Sequence, residues 1–479
     1  MTDVEALRAA IRSSMPAIRT DLERLVRIPS VSARGFDPAA VARSADAVRD
    51  VLAASGFDAR VLEVERGHPA VLGTIPAPPG APTVLLYAHH DVQPPGPDDL
   101  WATPPFEPTE RDGRLYGRGT ADDKAGVAVH AAAVRAFGGR PPVGVTVFIE
   151  GEEEAGSENL AGFLSTYRDE LRADALILAD VANWRVGQPS LTVSLRGVAG
   201  CSIEVRTLHH AVHSGMYGGP LPDAITVLAR TLATLHDEHG TVAVPGLRSG
   251  EADPLDLSDE ELRRDAGAVD GLRLMGEGTL TGRLWTKPAV SVLAVDAPSI
   301  EDASNQIVPV ARAVVSLRVA PGEDPDLALA ALMDHLRSNV PWGAEVTLTP
   351  LGAGAPFQVN ADGPAYDAIR RAFRDAFDVE SVDIGSGGSI PFLSAFADAF
   401  PGAALLLLGV EDPASNAHSE NESLHLGDFE KACLSEALFL AYFGLESTNG
   451  GRTISASPRR PRTSTSTRSP MENRSRGDT

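Results

Sequence analysis

The chain has 479 residues, a formal net charge of -23 at pH 7 and two cysteines. This length is too great for one hydrophobic core and predicts roughly two to three domains. The strong negative charge argues against nucleic acid as a partner, because phosphate neutralisation needs clustered Lys and Arg. Two cysteines cannot form a disulfide framework, so a metal ion would have to be held by His, Asp and Glu.

The sequence also bears on the cellular location of the protein. No apolar run approaches the ~20 residues that a membrane span requires, and the N-terminus carries acids where a secretory signal carries bases. We therefore expect a cytoplasmic protein with no membrane partner. Residues 447–479 are rich in Ser, Thr, Pro and Arg, a composition that cannot bury enough apolar surface to order itself. A disordered tail is predicted there, with a basic interaction tail as the alternative.

The first part of the chain alternates predicted helices and strands. Apolar residues at three- and four-residue spacings predict a helix over 3–27, which Pro16 kinks or restarts. A second helix is predicted over 38–55 and a third over 124–137. Short apolar runs predict strands at 59–64, 69–75, 83–88, 143–149 and 175–179. This alternation is typical of an α/β sheet.

The pattern of predicted elements changes after Leu191. Strands are predicted at 191–195, 201–207, 289–295, 307–319 and 344–350, with helices at 222–236 and 325–338. This β-α-β-β-α-β order predicts a smaller α+β module of ferredoxin-like type. Beyond it come two helices and a strand, at 364–377, 428–442 and 403–409. The predicted fold is a discontinuous mixed-sheet α/β/α catalytic domain over 1–194 and 356–446, with a lid or dimerisation module inserted over 195–355.

One motif directly follows the apolar run 83–87. The two-residue period of a strand places His89 and Asp91 on one side and His90 on the other. An imidazole and a carboxylate at a strand's exit form a metal corner, in which the carboxylate orients the imidazole. The competing interpretation is an N-cap Asp beside two loop histidines.

Further acids stand at comparable positions along the chain. Asp122 and Asp123 precede the helix 124–137, where helix capping is the competing interpretation. Four acids within 150–154 follow a strand, and a solvated loop is the alternative there. Asp180 follows the strand 175–179. Because ligands bind outside the carboxyl ends of strands in an open α/β sheet, we expect these groups to converge.

These motifs together resemble the dinuclear zinc peptidases that include carnosinases, cytosolic non-specific dipeptidases, glutamate carboxypeptidase and acetylornithine deacetylase. The resemblance spans residues 89 to 422 and is carried by Asp180 and the segments 89–94, 117–124, 150–157, 213–215 and 417–422.

The resemblance implies two divalent metal ions per subunit. By position, His89 and Asp180 would hold one ion, Glu154 and His418 the other, and Asp122 would bridge them. All are oxygen or nitrogen donors, which suits zinc first, with manganese or cobalt as alternatives. Such a pair of ions can lower the pKa of a shared water and polarise a scissile carbonyl.

The resemblance also implies catalytic residues. Glu153 would be the general base, and Asp91 would orient His89. His213 resembles a histidine of the inserted module that reaches a neighbouring subunit's site in a homodimer and binds the oxyanion. A surface loop histidine is the competing interpretation.

Substrate contacts are implied at three further positions. Arg318 resembles an arginine that clamps the substrate carboxylate, since its planar fork matches that group. Ser389 and Gly388 resemble a loop that binds the substrate backbone. A solvated arginine and a plain turn are the alternatives.

The sequence departs from the family pattern at three places. Ala88 stands where glycine is usual, and Ala211 stands where an aspartate often precedes the histidine at 213. His90 replaces an aromatic or aliphatic residue and could add to the pocket wall. None of these departures removes a proposed ligand.

The resulting hypothesis is a metal-dependent dipeptidase, a homodimer acting on short peptides with a free C-terminal carboxylate. The long segment near 245–288 resembles the dipeptidase branch more than the shorter deacylases. The second hypothesis is an amidase that removes the acyl group of N-acyl amino acids with the same metals. The third, from another class, is a non-catalytic dimeric binding protein of the same fold.

Overall fold

The computed structural model describes residues 3–64, 67–252, 255–388 and 392–449. In these ranges the α-helices are α1 Val4–Val26, α2 Pro38–Ala54, α3 Lys124–Arg135, α4 Leu160–Thr166, α5 Arg168–Leu171, α6 Ser214–Tyr217, α7 Ala224–Ala233, α8 Asp259–Asp265, α9 Leu280–Trp285, α10 Pro325–Ser338, α11 Pro364–Phe377, α12 Phe392–Ala399 and α13 Leu426–Asn449. Short 3-10 helices lie at Asp98–Leu100, Glu153–Ala155 and Pro341–Gly343.

The strands of the same ranges are β1 Asp58–Leu62, β2 Ala70–Ile75, β3 Thr83–His89, β4 Thr109–Arg111, β5 Arg114–Tyr116, β6 Gly144–Glu150, β7 Ala175–Leu178, β8 Ser190–Leu195, β9 Gly197–Arg206, β10 Val212–His213, β11 Ala289–Asp296, β12 Gln306–Ile307, β13 Val310–Val319, β14 Glu345–Gly354, β15 Phe357–Gln358, β16 Val382–Ser386, β17 Ala404–Leu407 and β18 Ser423–His425.

A six-stranded mixed sheet forms the centre of the larger domain, in the order β1-β2-β6-β3-β7-β17. Strands β6, β3, β7 and β17 run parallel, whereas β2 is antiparallel to both of its neighbours, β1 and β6. Alternate residues of β3 enter different cores: Leu86 packs with α1, α3, α11 and α13, and Leu85 packs with α4 and α12. The sheet is therefore covered on both faces, which gives the α/β/α layers that the sequence predicts.

The inserted module has its own sheet and core. Its four strands are antiparallel in the order β11-β13-β9-β14. Every second residue of β9 is buried, and these side chains pack with those of α7 and α10. This order of strands and helices is ferredoxin-like, as predicted. A three-stranded sheet, β15-β8-β16, lies where the chain enters and leaves the module. We retain residues 195 and 355 as the proposed boundaries.

Several predicted elements differ in extent from the observed ones. Helix α1 is continuous through Pro16, because this residue lies on the exposed face while the apolar stripe on the other face stays buried. The predicted strand 307–319 is two strands separated by Pro309, which has no amide hydrogen for the ladder. Helix α13 runs to Asn449, so 447–449 are helical and the prediction of disorder is wrong for them. The rest of the predicted tail, 450–479, lies outside the described residues.

Within the described ranges, no helix combines the length and apolar character needed to cross a membrane.

Candidate active site

Parallel strands deliver the first site residues to one edge of the central sheet. Strand β3 ends at His89 and β6 at Glu150, and these two residues are paired partners. Strand β7 lies on the other side of β3 and ends two residues before Asp180. The carboxyl ends of all three strands therefore meet, and the loops that follow them can share one crevice.

The proposed metal ligands converge on the carboxylate of Asp122. Its Oδ1 lies 3.0 Å from Nε2 of His89, and its Oδ2 lies 3.0 Å from Nε2 of His418. Each imidazole has a second carboxylate nearby. Oδ1 of Asp180 is 3.8 Å from Nε2 of His89, and Oε2 of Glu154 is 3.2 Å from Nε2 of His418. Residues more than 300 positions apart along the chain thus form one compact cluster.

Asp91 stands behind this cluster. Its Oδ1 lies 3.4 Å from Nδ1 of His89, while its two oxygens accept the backbone N–H groups of Glu153 and Glu154 at 3.2 and 3.0 Å. Burial opposes ionisation of this carboxylate, but contact with His89 outweighs it and lowers the pKa of Asp91. His90 points away, with Nε2 3.0 Å from the Pro69 carbonyl. The predicted alternation of this motif is confirmed, but His90 is not among the described residues that line the cavity below.

The adjacent aspartates have different roles in the structure. Asp123 is the N-cap of α3, and its side chain accepts the N–H of Gly126 at 3.2 Å and that of His89 at 3.2 Å. Asp122 faces the cluster. Burial raises its pKa, but the hydrogen bonds with His418 and His89 prevail and hold it below the usual range. Capping is thus the right interpretation for Asp123 and the wrong one for Asp122.

The acidic loop after β6 is not a solvated loop. Glu150 accepts a hydrogen bond of 2.7 Å from the Tyr87 hydroxyl, and Glu152 accepts the N–H of Asn159 at 2.6 Å. Gln93 donates to Oε2 of Glu154 at 2.7 Å.

Glu153 lines the cavity described below. Burial raises the pKa of Glu153 to about 9; the charge of His89 opposes this rise, and the charge of Asp180 adds to it. Each acid therefore has a defined environment.

The cluster opens into a cavity of about 470 Å³. Asp122, Glu153, Asp180 and His418 line one side. Further lining residues include Thr192 of β8, Trp285 of α9, Ser386 at the end of β16, and Gly387 and Gly388 in the loop that follows. Residues of both the larger domain and the inserted segment therefore form this cavity.

Two further acids belong to this region and were missed in the sequence. Glu411 lines the cavity, and one of its oxygens lies within 4.8 Å of oxygens of Asp122 and Asp180. Glu422 is fully buried and accepts the N–H groups of Ala121 and Asp122 at 2.9 and 3.1 Å. The signal for Glu411 was its place after an apolar strand, as for Asp180. Glu422 stood inside the matched segment 417–422 without an assigned role.

Other predicted residues lie apart from the cluster. His213 is exposed on β10, where its Nδ1 accepts the N–H of Gly215 at 3.0 Å. Arg318 is half-buried on β13. Of the described residues, those lining the cavity include neither of these two. Gly388 does line it, and its N–H donates to Oγ of Ser386 at 3.2 Å. Ser389 lies outside the described residues.

The donor set suits divalent cations. Several groups of three imidazoles and carboxylates have ligand atoms within 4.8 Å of one another, among them Asp122 with Glu154 and His418. Carboxylates packed this closely repel one another, and a cation between them removes that repulsion. Imidazole and carboxylate ligands fit zinc, manganese and cobalt.

Comparison with known proteins defines the class. Residues 85–441 match Peptidase family M20/M25/M40. The chain belongs to this family, and it is a hydrolytic metallopeptidase that requires divalent metal ions.

Relatives of known activity and structure make the comparison more specific. The chain is 38% identical over 373 residues to a cysteinylglycine-S-conjugate dipeptidase of Corynebacterium striatum, covering 76% of this chain and 82% of the relative. It is 30% identical over 397 residues to a Beta-Ala-His dipeptidase of Rattus norvegicus, covering 78% and 79%. The structure of human carnosine dipeptidase 1 is similar with a TM-score of 0.76 at 25% identity, covering 93% of this chain and 99% of that one.

Proposed function

We propose that this enzyme hydrolyses the peptide bond of dipeptides or short peptides that end in a free carboxylate. The observation that carries the proposal is the position of Asp122, whose two oxygens each face one imidazole. A further carboxylate accompanies each imidazole, and Glu153 lies beside them in the same cavity. This is the arrangement expected of a two-metal hydrolytic site.

The residues divide into two sets of candidate metal ligands. His89 and Asp180 would hold one ion, His418 and Glu154 would hold the other, and Asp122 would be shared between them. When bound, the ions lower the pKa of the attacking water and polarise the scissile carbonyl. Zinc is the metal we expect first. Manganese and cobalt are alternatives, because the set contains no thiolate that would demand zinc alone.

Glu153 is the proposed general base. It takes the proton of the attacking water and passes it to the leaving amine. Asp91 positions this base, because its carboxylate accepts the N–H of Glu153. The same carboxylate lies beside the Nδ1 atom of His89, so one residue orients both a ligand and the base.

The inserted module supplies the remaining catalytic group from a second copy of the chain. We propose that His213 binds the oxyanion in the site of the partner subunit of a homodimer. Two features support this: His213 is exposed, and the same module exposes large apolar side chains, including Met216 at 74% and Leu293 at 66%. A dimer would bury such surface.

Substrate binding is proposed for the cavity wall opposite the metal cluster. Arg318 clamps the C-terminal carboxylate, and Gly388 and Ser389 bind the peptide backbone. The position of Gly388 on the cavity supports its role. The role of Arg318 is supported by the strand register, in which Arg318 pairs with Val198, two residues after Arg196, whose side chain contacts Gly387.

The proposal is tested with a substrate panel. The purified protein is chelated, reloaded separately with zinc, manganese or cobalt, and assayed with cysteinylglycine, β-alanyl-histidine and N-acetyl amino acids. The first two are chosen because relatives are named for such substrates. We expect turnover of free-amine dipeptides in at least one metal form. Hydrolysis of the N-acetyl compounds alone would replace the proposal with the amidase hypothesis. Absence of turnover of every substrate in all three metal-loaded forms would favour a non-catalytic binding protein.

We also propose that the enzyme is cytoplasmic. Cys201 and Cys433 are both buried free thiols, which a reducing compartment preserves. Fractionation of the native host with an antibody tests this, and recovery outside the cytoplasmic fraction would contradict it.

A further inference from the structure

Arg196 lies where the chain passes from the larger domain into the inserted module. It follows β8 and precedes β9, and its backbone N–H donates to the Ser386 carbonyl at 3.1 Å. Only 8% of the residue is exposed. A buried guanidinium must find acceptors for its N–H groups, so its contacts show what it holds in place.

The side chain of Arg196 contacts two segments of the cavity wall. Its Nε donates to the Gly387 carbonyl at 3.4 Å, and its Nη1 donates to the carbonyls of Lys287 and Arg283 at 3.3 and 3.4 Å. Gly387 lines the cavity, as does Trp285, which lies between the other two acceptors in sequence. One side chain therefore links the glycine loop to the end of α9.

The packing around this link is tight. A Cβ atom added at Gly387 would lie 2.6 Å from Nη2 of Arg196, and one added at Gly385 would lie 2.5 Å from Cβ of Trp285. A side chain at Gly385 would displace Trp285, and a side chain at Gly387 would push the guanidinium of Arg196 aside. The guanidinium therefore lies directly behind the loop that faces the substrate cavity.

The charge of Arg196 is not neutralised by the acceptors that it reaches. All three are backbone carbonyls, and in the described part of the chain the side chain pairs with no carboxylate. Burial, and secondarily the positive charge of Arg318, lower the pKa of Arg196 to about 10, so it stays cationic at neutral pH. A buried guanidinium whose acceptors are all neutral carbonyls favours an anion near it.

We propose that Arg196 is a positioning residue that makes the enzyme selective for substrates ending in a free carboxylate. It fixes the wall formed by the glycine loop and Trp285, and it adds positive charge behind that wall, beside Arg318. In a dipeptide only a few bonds separate the scissile carbonyl from the C-terminal carboxylate. One cavity can therefore place the first at the metal cluster and the second at this basic wall. The inference rests on the proposed peptidase function.

The test compares a dipeptide with its C-terminal amide. Arg196→Met, Arg196→Lys and a control, Arg185→Met, are loaded with the metal that supports wild-type activity, and kcat and KM are measured for both substrates. Arg185 lies over Trp184, which packs against Trp285. The control substitution therefore removes one positive charge from the same neighbourhood but leaves Arg196 and its acceptors unchanged. Circular dichroism and metal content establish that each variant is folded and loaded.

Arg196→Met should raise KM for the carboxylate substrate by roughly tenfold or more, with a small change for the amide and little change in kcat. Arg196→Lys should recover part of this selectivity, because the charge remains while the planar fork is lost. Equal changes for both substrates, a lysine variant no better than the methionine variant, or an unchanged KM would overturn the proposal. If Arg196→Met does not fold, the ratio of the two substrates in Arg196→Lys decides.

Failure of the peptidase proposal would be distinguishable from failure of this one. Wild-type protein that cleaves only N-acyl amino acids contradicts the peptide substrate. The same comparison then proceeds with an N-acyl amino acid and its amide, which also differ only in the terminal carboxylate.

Discussion

The metal cluster and the inserted module differ in how completely one chain builds its share of the site. All five proposed ligands and Glu153 lie together in a single chain, within a few ångströms of one another. The proposed catalytic residue of the module, His213, is exposed and does not line the same chain's cavity among the described residues. Under the proposed function, the metal cluster is complete within one chain, and a partner subunit supplies His213 to the same site.

Replacement of Asp122 by Ala should have the largest effect on the metal cluster, which one chain builds completely. This carboxylate lies between both imidazoles, so its loss should remove the shared ligand and bring activity below detection. Metal analysis after gel filtration should show fewer bound ions than in the wild type. Full metal content with normal turnover would show that the two proposed ion sites do not share this residue.

Glu153→Gln should leave the metal ligands in place and lower kcat by about 10² to 10⁴-fold. The amide keeps the shape of the side chain but cannot accept the proton of the attacking water. Glu158→Gln is the matched control, since Glu158 is exposed on the same loop. Metal content should equal that of the wild type in both variants. Retained activity in Glu153→Gln would assign the base to another group.

His213→Ala tests the proposed contribution of the inserted module to the site of the partner subunit. It should lower kcat by about 10² to 10³-fold, with folding and metal content unchanged, because an oxyanion donor acts only in the transition state. Mixing this variant with Glu153→Gln under conditions of subunit exchange should restore part of the activity. In a mixed dimer, one site has an intact Glu153 and receives His213 of the partner subunit. No recovery on mixing, with exchange demonstrated, would contradict action across a dimer.

The smallest expected effect concerns the two thiols, which report separately on the two regions. Cys201 lies in the module's core and Cys433 in α13 of the larger domain. Burial raises the pKa of Cys201 to about 11 and holds that of Cys433 well above its usual value, so at pH 8 neither forms the reactive thiolate. Ellman's reagent should therefore detect no thiol in the native protein and two after unfolding. Rapid labelling of either thiol in the native state would mean that its region opens readily.

Much of the fold was predictable from local patterns. Helices α10 and α11 have the predicted bounds, because a proline at the first helical position and a regular apolar stripe mark them clearly. The break at Pro309 and the continuous helix through Pro16 were not predicted. Pro309 interrupts the strand because it has no amide hydrogen for the ladder, whereas Pro16 costs helix α1 one hydrogen bond to the carbonyl four residues earlier while the buried apolar stripe holds the helix together.

The sequence by itself determined the residue types of the site and their places at strand ends, because a two-residue period and buried apolar runs are local properties. It also indicated, by resemblance, which acids would act together. The resemblance selected Asp122 rather than Asp123 as a ligand, and the tertiary structure gives the physical reason, since Asp123 caps α3 while the loop at 418 brings an imidazole to Asp122. The tertiary structure alone revealed Glu411 and the link made by Arg196. These depend on contacts between segments far apart in the chain, which no local pattern encodes.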